Sequence, residues 1–126
     1  MDPSEIRILM VDDDPFVRDM IGFILQSSDY RVETAENGLE GLEKHKAGPG
    51  FHVIISDMNM PEMDGLALIR EVRKTGPEIA IILMTGSDDA GSSGSGADEC
   101  IVKDENVQDT IVASVERILG KKGLIG

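Results

Sequence analysis

Tryptophan is absent from this 126-residue chain, and its aromatic side chains are limited to three phenylalanines and one tyrosine. So few rings leave no platform on which unpaired bases could stack. Basic side chains are scarce as well: 12 lysines and arginines stand against 24 aspartates and glutamates, for a formal charge of −12. A surface that acidic repels a phosphate backbone and argues against direct nucleic-acid binding. The single cysteine, Cys100, cannot close an internal disulfide and suits a reducing, cytoplasmic compartment. No apolar run approaches the roughly 20 residues of a membrane span, and the N-terminal MDPSEIR has neither the basic nor the apolar block of a signal peptide. The expectation is a cytoplasmic, acidic domain with no membrane or nucleic-acid partner, large enough for one core without a disulfide staple.

What is present is an alternation of short apolar runs and helical periodicities. Residues 6–11 (IRILMV) read as a strand buried on both faces. Asp14 followed by Pro15 marks a helix start, and Val17, Met20, Ile21, Ile24 and Leu25 carry that helix to about Ser27. Residues 31–34 predict a second strand. Asn37 opens a second helix, with Leu39 and Leu42 expected inward and Glu40, Glu43 and Lys44 outward, and Gly48-Pro49-Gly50 breaks it. A third strand is predicted over 52–56, a third helix on Leu66, Ile69 and Val72, a fourth strand over 79–84 and a fifth over 99–102. Val107, Ile111, Val115, Ile118 and Leu119 form the stripe of a final helix, which places the domain at 1–120 and a frayed tail at 121–126. Strands alternating with helices predict an α/β fold with a doubly wound parallel sheet.

One stretch resists the alternation. The thirteen residues GSDDAGSSGSGAD, 86–98, stand where a helix should cross from the fourth strand to the fifth. Each glycine costs a helix about 1 kcal/mol relative to alanine. A helix rises only about 1.5 Å per residue, against about 3.3 Å for extended chain. The crossing helix is therefore expected to be short or missing, with fast amide exchange over 92–96; GSSGSG also resembles a flexible linker.

Function is concentrated at the strand ends. Asp12 and Asp13 follow the first strand, Asp57 the third, Thr85 the fourth and Lys103 the fifth. In a parallel sheet those ends share one edge. Carboxylates gathered there repel unless a cation sits among them, and oxygen donors without histidine or cysteine point to Mg²⁺. An ionised aspartate beside such an ion can attack phosphorus, and a hydroxyl and an ammonium can hold the phosphoryl oxygens. Taken singly these residues have plainer readings: Asp12–Asp13 as a cap or loop, Thr85 as a turn residue, Lys103 as a surface charge. His45 reads as a surface residue, His52 as a strand-edge residue, and Met58, Met60 and Met63 as gap-fillers of the loop after Asp57. The ordered set is what singles out the edge.

ILMVDDDP, VIISDMNMPEMDG, ILMTG and GADECIVK resemble, in order and over nearly the whole chain, the motifs of response-regulator receiver domains of two-component signalling. The resemblance implies a flavodoxin-like sheet of order 2-1-3-4-5. It implies Asp57 as phosphoacceptor, served by a phosphohistidine on a sensor histidine kinase or a histidine phosphotransfer protein. Mg²⁺ would be held by Asp13 directly, by Asp12 largely through water, by Asp57 and by the backbone carbonyl of Asn59. Thr85 would move toward the phosphoryl group, with Lys103 as its ion-pair partner. The first helix, at Phe16 and Val17, and the loops near the site would dock the donor, and a downstream effector protein or domain would read the switch. On this reading the chain is not an enzyme but takes part in its own phosphorylation and dephosphorylation.

Three features depart from the family, one of them the degraded crossing helix, which lies on the face that the resemblance assigns to dimerisation or partner binding. Asp104 follows the lysine where proline is usual, and a cis bond there would cost about 3 kcal/mol, so a trans bond is expected. Cys100 replaces the usual Tyr or Phe and reads as a small buried hydrophobe. Two other functions compete. One is a receiver-like binding module no longer controlled by phosphorylation. The other is a small phosphatase similar to the haloacid dehalogenase-like group, with Asp12 as nucleophile, Asp14 as acid and Asp88–Asp89 on the metal; Pro15-Phe16 does not fit its motif, and it leaves Asp57 unexplained.

Overall fold

The computed structural model describes residues 2–48, 50–86 and 96–124. After a 3-10 turn at Pro3–Glu5 come β1 (Arg7–Val11), α1 (Pro15–Ser27), β2 (Arg31–Ala35), α2 (Gly38–Ala47), β3 (Val53–Asp57), α3 (Gly65–Thr75), β4 (Ala80–Thr85), β5 (Glu99–Val102) and α4 (Val107–Lys121). The strands form one parallel sheet in the order β2-β1-β3-β4-β5, the α/β arrangement expected. The expected short or missing crossing helix falls on 87–95 and lies outside the described residues, as do Asp88 and Asp89. Gly96, Ala97 and Asp98, at the end of that stretch, are not helical.

The sheet is covered on both faces because its central strands are apolar at successive positions. Ile8, Met10, Val53, Ile55, Ile82 and Met84 face one way, onto Ile21 and Leu25 of α1 and Ile111, Val115 and Ile118 of α4. Leu9, Val11, Ile54, Ile81 and Leu83 face the other way, onto Leu42 of α2 and Leu68, Ile69 and Val72 of α3. Side chains alternate across a strand, so continuous apolar runs build two cores at once. Burying each Leu or Ile contributes roughly 1.5–3 kcal/mol.

Side-chain caps start three helices. Asp14 accepts a hydrogen bond from Phe16 N at 2.9 Å with Pro15 in the first turn, Asn37 accepts from Glu40 N at 2.8 Å, and Asp64 accepts from Ala67 N at 2.8 Å. Each cap satisfies an amide that a helix start otherwise leaves open.

The inward face of α2 differs from expectation. Leu39 is exposed, and the buried positions are Gly38, Gly41, Leu42 and His45. A Cβ on Gly41 would lie 3.0 Å from Val11 Cγ2, so the helix backbone itself packs on β1 and no large side chain fits there. His45 is therefore no surface residue: it is buried, with Nε2 2.9 Å from Thr75 Oγ1 of α3, while Nδ1 has no partner. At the opposite end of the chain, α4 continues through Lys121 and Leu124 packs against the α1–α4 core.

Candidate functional site

β1, β3, β4 and β5 end on the same edge of the sheet. In register, Asp57 pairs with Met84, Ser56 with Val11, and Thr85 with Val102. The expected residues Asp12, Asp57, Thr85 and Lys103 are thereby brought to one place, with Asp13 at its rim. Asp12 is fully buried, Asp57 and Thr85 nearly so, and Asp13 is exposed.

One ammonium joins two of the acids: Lys103 Nζ lies 2.8 Å from Asp12 Oδ2 and 3.1 Å from Asp57 Oδ2. The Asp57 contact is a hydrogen bond and the Asp12 contact an ion pair, and no donor other than this ammonium reaches the buried Asp12 Oδ2. Asp12 Oδ1 accepts from Asp14 N at 2.9 Å, and the Asp12 carbonyl accepts from Arg18 Nη1 at 3.0 Å. These contacts fix the acidic loop between β1 and α1. Lys103 is held from its own backbone, whose N–H donates to the Thr85 carbonyl at 2.7 Å. Among the described residues every peptide bond is trans, including Lys103–Asp104.

Burial, and then the neighbouring Asp12 charge, push the Asp57 carboxyl above its usual range, with Lys103 and the Met58 amide pulling the other way. For Lys103, burial acts to lower the pKa, but the close contacts and charges of Asp12 and Asp57 outweigh it and the pKa is raised. The site is thus short of positive charge. One carboxylate oxygen from each of Asp12, Asp13 and Asp57 lies within 4.8 Å of the others, a spacing that can hold a cation. Three oxygen donors and an undersatisfied buried carboxylate oxygen fit a hard divalent ion. Asn59 is exposed, two residues beyond Asp57.

The loop carrying Asn59 is held at both ends. Met58 N donates to Met84 O at 2.9 Å, Gly65 N to Met58 O at 2.8 Å and Gly38 N to Met63 O at 3.1 Å. A Cβ on Gly65 would lie 2.3 Å from the Asp57 carbonyl oxygen, and one on Gly38 only 2.2 Å from that of Met63, so both glycines allow backbone contacts that any side chain would block. Met58, Met60 and Met63 pack partly buried against the α2–α3 core, as gap-fillers do. Cys100 likewise packs partly buried against that core. Asp14 caps α1 and Asn37 caps α2, as their places in the sequence predict, whereas the Asp64 cap and the close backbone contacts at Gly38 and Gly65 were not anticipated.

A parallel α/β sheet with acids at its carboxyl edge and one lysine reaching them is the arrangement that comparison with known proteins has to explain. The family model for the response regulator receiver domain matches residues 8–116, and the chain belongs to that family. It is 39% identical over 85 residues to the transcriptional regulatory protein GlrR of Escherichia coli K12, covering 68% of this chain and 19% of that one. The match to the response regulator MprA of Mycobacterium ulcerans is 37% over 93 residues, 74% of this chain and 40% of that one. The chain thus matches only 19% and 40% of the length of these relatives. Among solved structures, the response regulator TrrA of Thermotoga maritima, in complex with Mg²⁺-BeF, superposes with a TM-score of 0.82 at 38% identity, covering 90% of this chain and 99% of that one. TrrA has also been solved with the histidine kinase ThkA. No helix among the described residues is long and apolar enough to cross a membrane.

Proposed function

We propose that this domain, residues 1–120, is a phosphoacceptor switch in which Asp57 takes a phosphoryl group from a phosphohistidine. The carrying observation is the placement of Asp57 Oδ2 beside Lys103 Nζ at the strand edge, with Asp12 and Asp13 completing an oxygen cluster. Asp57 Oδ attacks phosphorus, the phosphorus–nitrogen bond of the donor breaks, and the imidazole leaves and takes up a proton, giving an acyl phosphate on Asp57. Lys103 and Thr85 then hold the phosphoryl oxygens, Lys103 by exchanging part of its contact with Asp12 and Asp57 for them. Asp12, Asp13, Asp57 and the Asn59 carbonyl would hold Mg²⁺, a reading supported by the TrrA complex with Mg²⁺-BeF. When bound, the ion offsets the negative charge gathering on the phosphoryl oxygens.

The donor would be a sensor histidine kinase or a histidine phosphotransfer protein, an assignment supported by the TrrA–ThkA complex. It would dock on α1, where Phe16 and Phe23 are 75% and 70% exposed and border a hollow of about 590 Å³ with Met20, Ile24 and Gln108. Phosphorylation replaces the single charge of the Asp57 carboxylate with close to two on the phosphoryl oxygens, a net gain of about one negative charge at the edge. That charge would bias a surface read by an effector protein or domain in the cytoplasm. Incubation with Mg²⁺ and acetyl phosphate should add one phosphoryl mass, and a chelator or Asp57→Ala should abolish it. A folded protein that binds Mg²⁺ and takes no label would instead be a binding module outside phosphoryl control.

A further inference from the structure

We propose that Arg73, on α3 and away from the acidic edge, is a positioning residue: it clamps the chain just ahead of β5, sets the register of that strand, and so delivers Lys103 to Asp12 and Asp57. The proposal rests on the reading of Asp57 as phosphoacceptor.

The guanidinium of Arg73 ties together three carbonyls and a carboxylate. Its Nη1 donates to Pro77 O at 2.9 Å and Ile79 O at 2.6 Å, in the turn leading into β4. Its Nε and Nη2 donate to Gly96 O at 3.1 and 2.8 Å, and Nη2 also pairs with Asp98 Oδ2 at 2.9 Å. Asp98 carries the clamp onto the sheet: its N–H donates to Ile81 O at 2.8 Å, and its Oδ2 accepts from Ile81 N at 2.8 Å. Gly96 has φ +89, and a Cβ there would meet Ile69 Cγ2 at 3.2 Å. Both features reserve the position for glycine while its carbonyl faces the arginine.

Register matters here more than in the other strands. Among the described residues β5 is a sheet edge of four residues, Glu99–Val102, paired only with β4. The preceding sequence GSSGSG offers no apolar side chain, so apart from Ala97, Cys100 and Ile101, which pack on the cores, the pairing relies on polar contacts. In a strand, a slip of one residue turns every side chain to the opposite face. A slip in β5 would turn Lys103, the next residue, away from Asp57. The Lys103 N–H to Thr85 O bond holds the upper end of the pairing, and the Arg73–Asp98–Ile81 set holds the lower end. An arginine fork can span these acceptors at once, and a lysine cannot.

The test is a double-mutant cycle on the initial rate of Mg²⁺-dependent phosphorylation by acetyl phosphate, run well below every melting temperature. Arg73→Ala should slow labelling on the order of tenfold, since an ångström of misplacement can cost up to about a hundredfold. In a Lys103→Ala background the same change should alter the rate by less than about twofold, because the group it positions is gone. Equal fold losses in both backgrounds, or an unchanged rate in the single variant, would overturn the proposal. If Arg73→Ala does not fold, Arg73→Lys takes its place in the cycle, and the same results support or overturn the proposal. Absence of label in the parent protein would refute the phosphoacceptor reading itself. The positioning claim is then decided by amine acylation read residue by residue: faster modification of Lys103 in the Arg73 variant, with Lys44 and Lys74 unchanged, supports it, and an unchanged Lys103 rate overturns it.

Discussion

Replacing Gly65 with alanine tests how rigidly the Asp57 loop is built. The added Cβ would stand 2.3 Å from the Asp57 carbonyl oxygen and 3.0 Å from both Met58 Cα and Leu83 Cδ1. Close carbon–oxygen contacts lie at about 3.3 Å, so the start of α3 and the end of β3 must part by about 1 Å. The hydrogen bond from Gly65 N to Met58 O, 2.8 Å long, lies across that gap. Losing it costs about 1–3 kcal/mol, and overpacking adds a similar amount. Helix propensity returns at most about 1 kcal/mol. The net loss is about 1–5 kcal/mol, the middle of which is roughly 10 °C in melting temperature for a chain of this size. Gly120 in α4 is the control, because a Cβ there meets nothing within 4 Å. Gly120→Ala should raise stability by up to about 1 kcal/mol. Thermal melts followed by far-UV circular dichroism without Mg²⁺ compare the two. A Gly65→Ala protein melting at or above the parent temperature would refute the claim that backbone contact at Gly65 fixes the loop.

Other outcomes follow from the charges. The Asp57 pKa is raised, so the folded state favours the protonated form: its contribution is present below the ordinary value and is lost as pH rises through the raised one. Asp57→Asn should therefore raise the metal-free melting temperature near neutral pH, and Mg²⁺ should stabilise the parent protein more than the variant. Burial, and then Lys46, lower the His45 pKa, so its contribution is present above 6.5 and is lost as pH falls through the lowered value. His45→Gln should flatten the fall in stability below pH 6.5; an unchanged acid limb would show that His45 is not the titrating group. The hydrogen bond from Arg117, opposed by burial and aided by Ser114, lowers the Glu99 pKa, so its contribution is held above 4.5 and lost below the lowered value. Glu99→Gln should weaken the fold near neutral pH and make little difference once acid has protonated Glu99 in the parent.

The central architecture was legible because β1, β3 and β4 are apolar at nearly every position, which only strands covered on both faces require. Their ends then mark the site, so Asp12, Asp57, Thr85 and Lys103 could be read as neighbours from position alone. The inward face of α2 was hidden because glycines and a histidine carry it, and hydrophobic periodicity has no sign for a helix whose backbone touches a sheet. Arg73 was hidden too. Three of its four partners are carbonyls, and a carbonyl acceptor leaves no trace in residue type. The double contact of Lys103 with Asp12 and Asp57 depends on side-chain reach across two strands, which the order of motifs does not specify.

Whether Asp57 is the phosphoacceptor is decided by the position of the phosphoryl group. After reaction with acetyl phosphate and Mg²⁺, borohydride reduction converts an aspartyl phosphate to homoserine, which tandem mass spectrometry assigns to one residue. The expected result is a single homoserine at residue 57, absent when Mg²⁺ is chelated. Conversion at Asp12 or Asp13, with Asp57 unmodified, would contradict it.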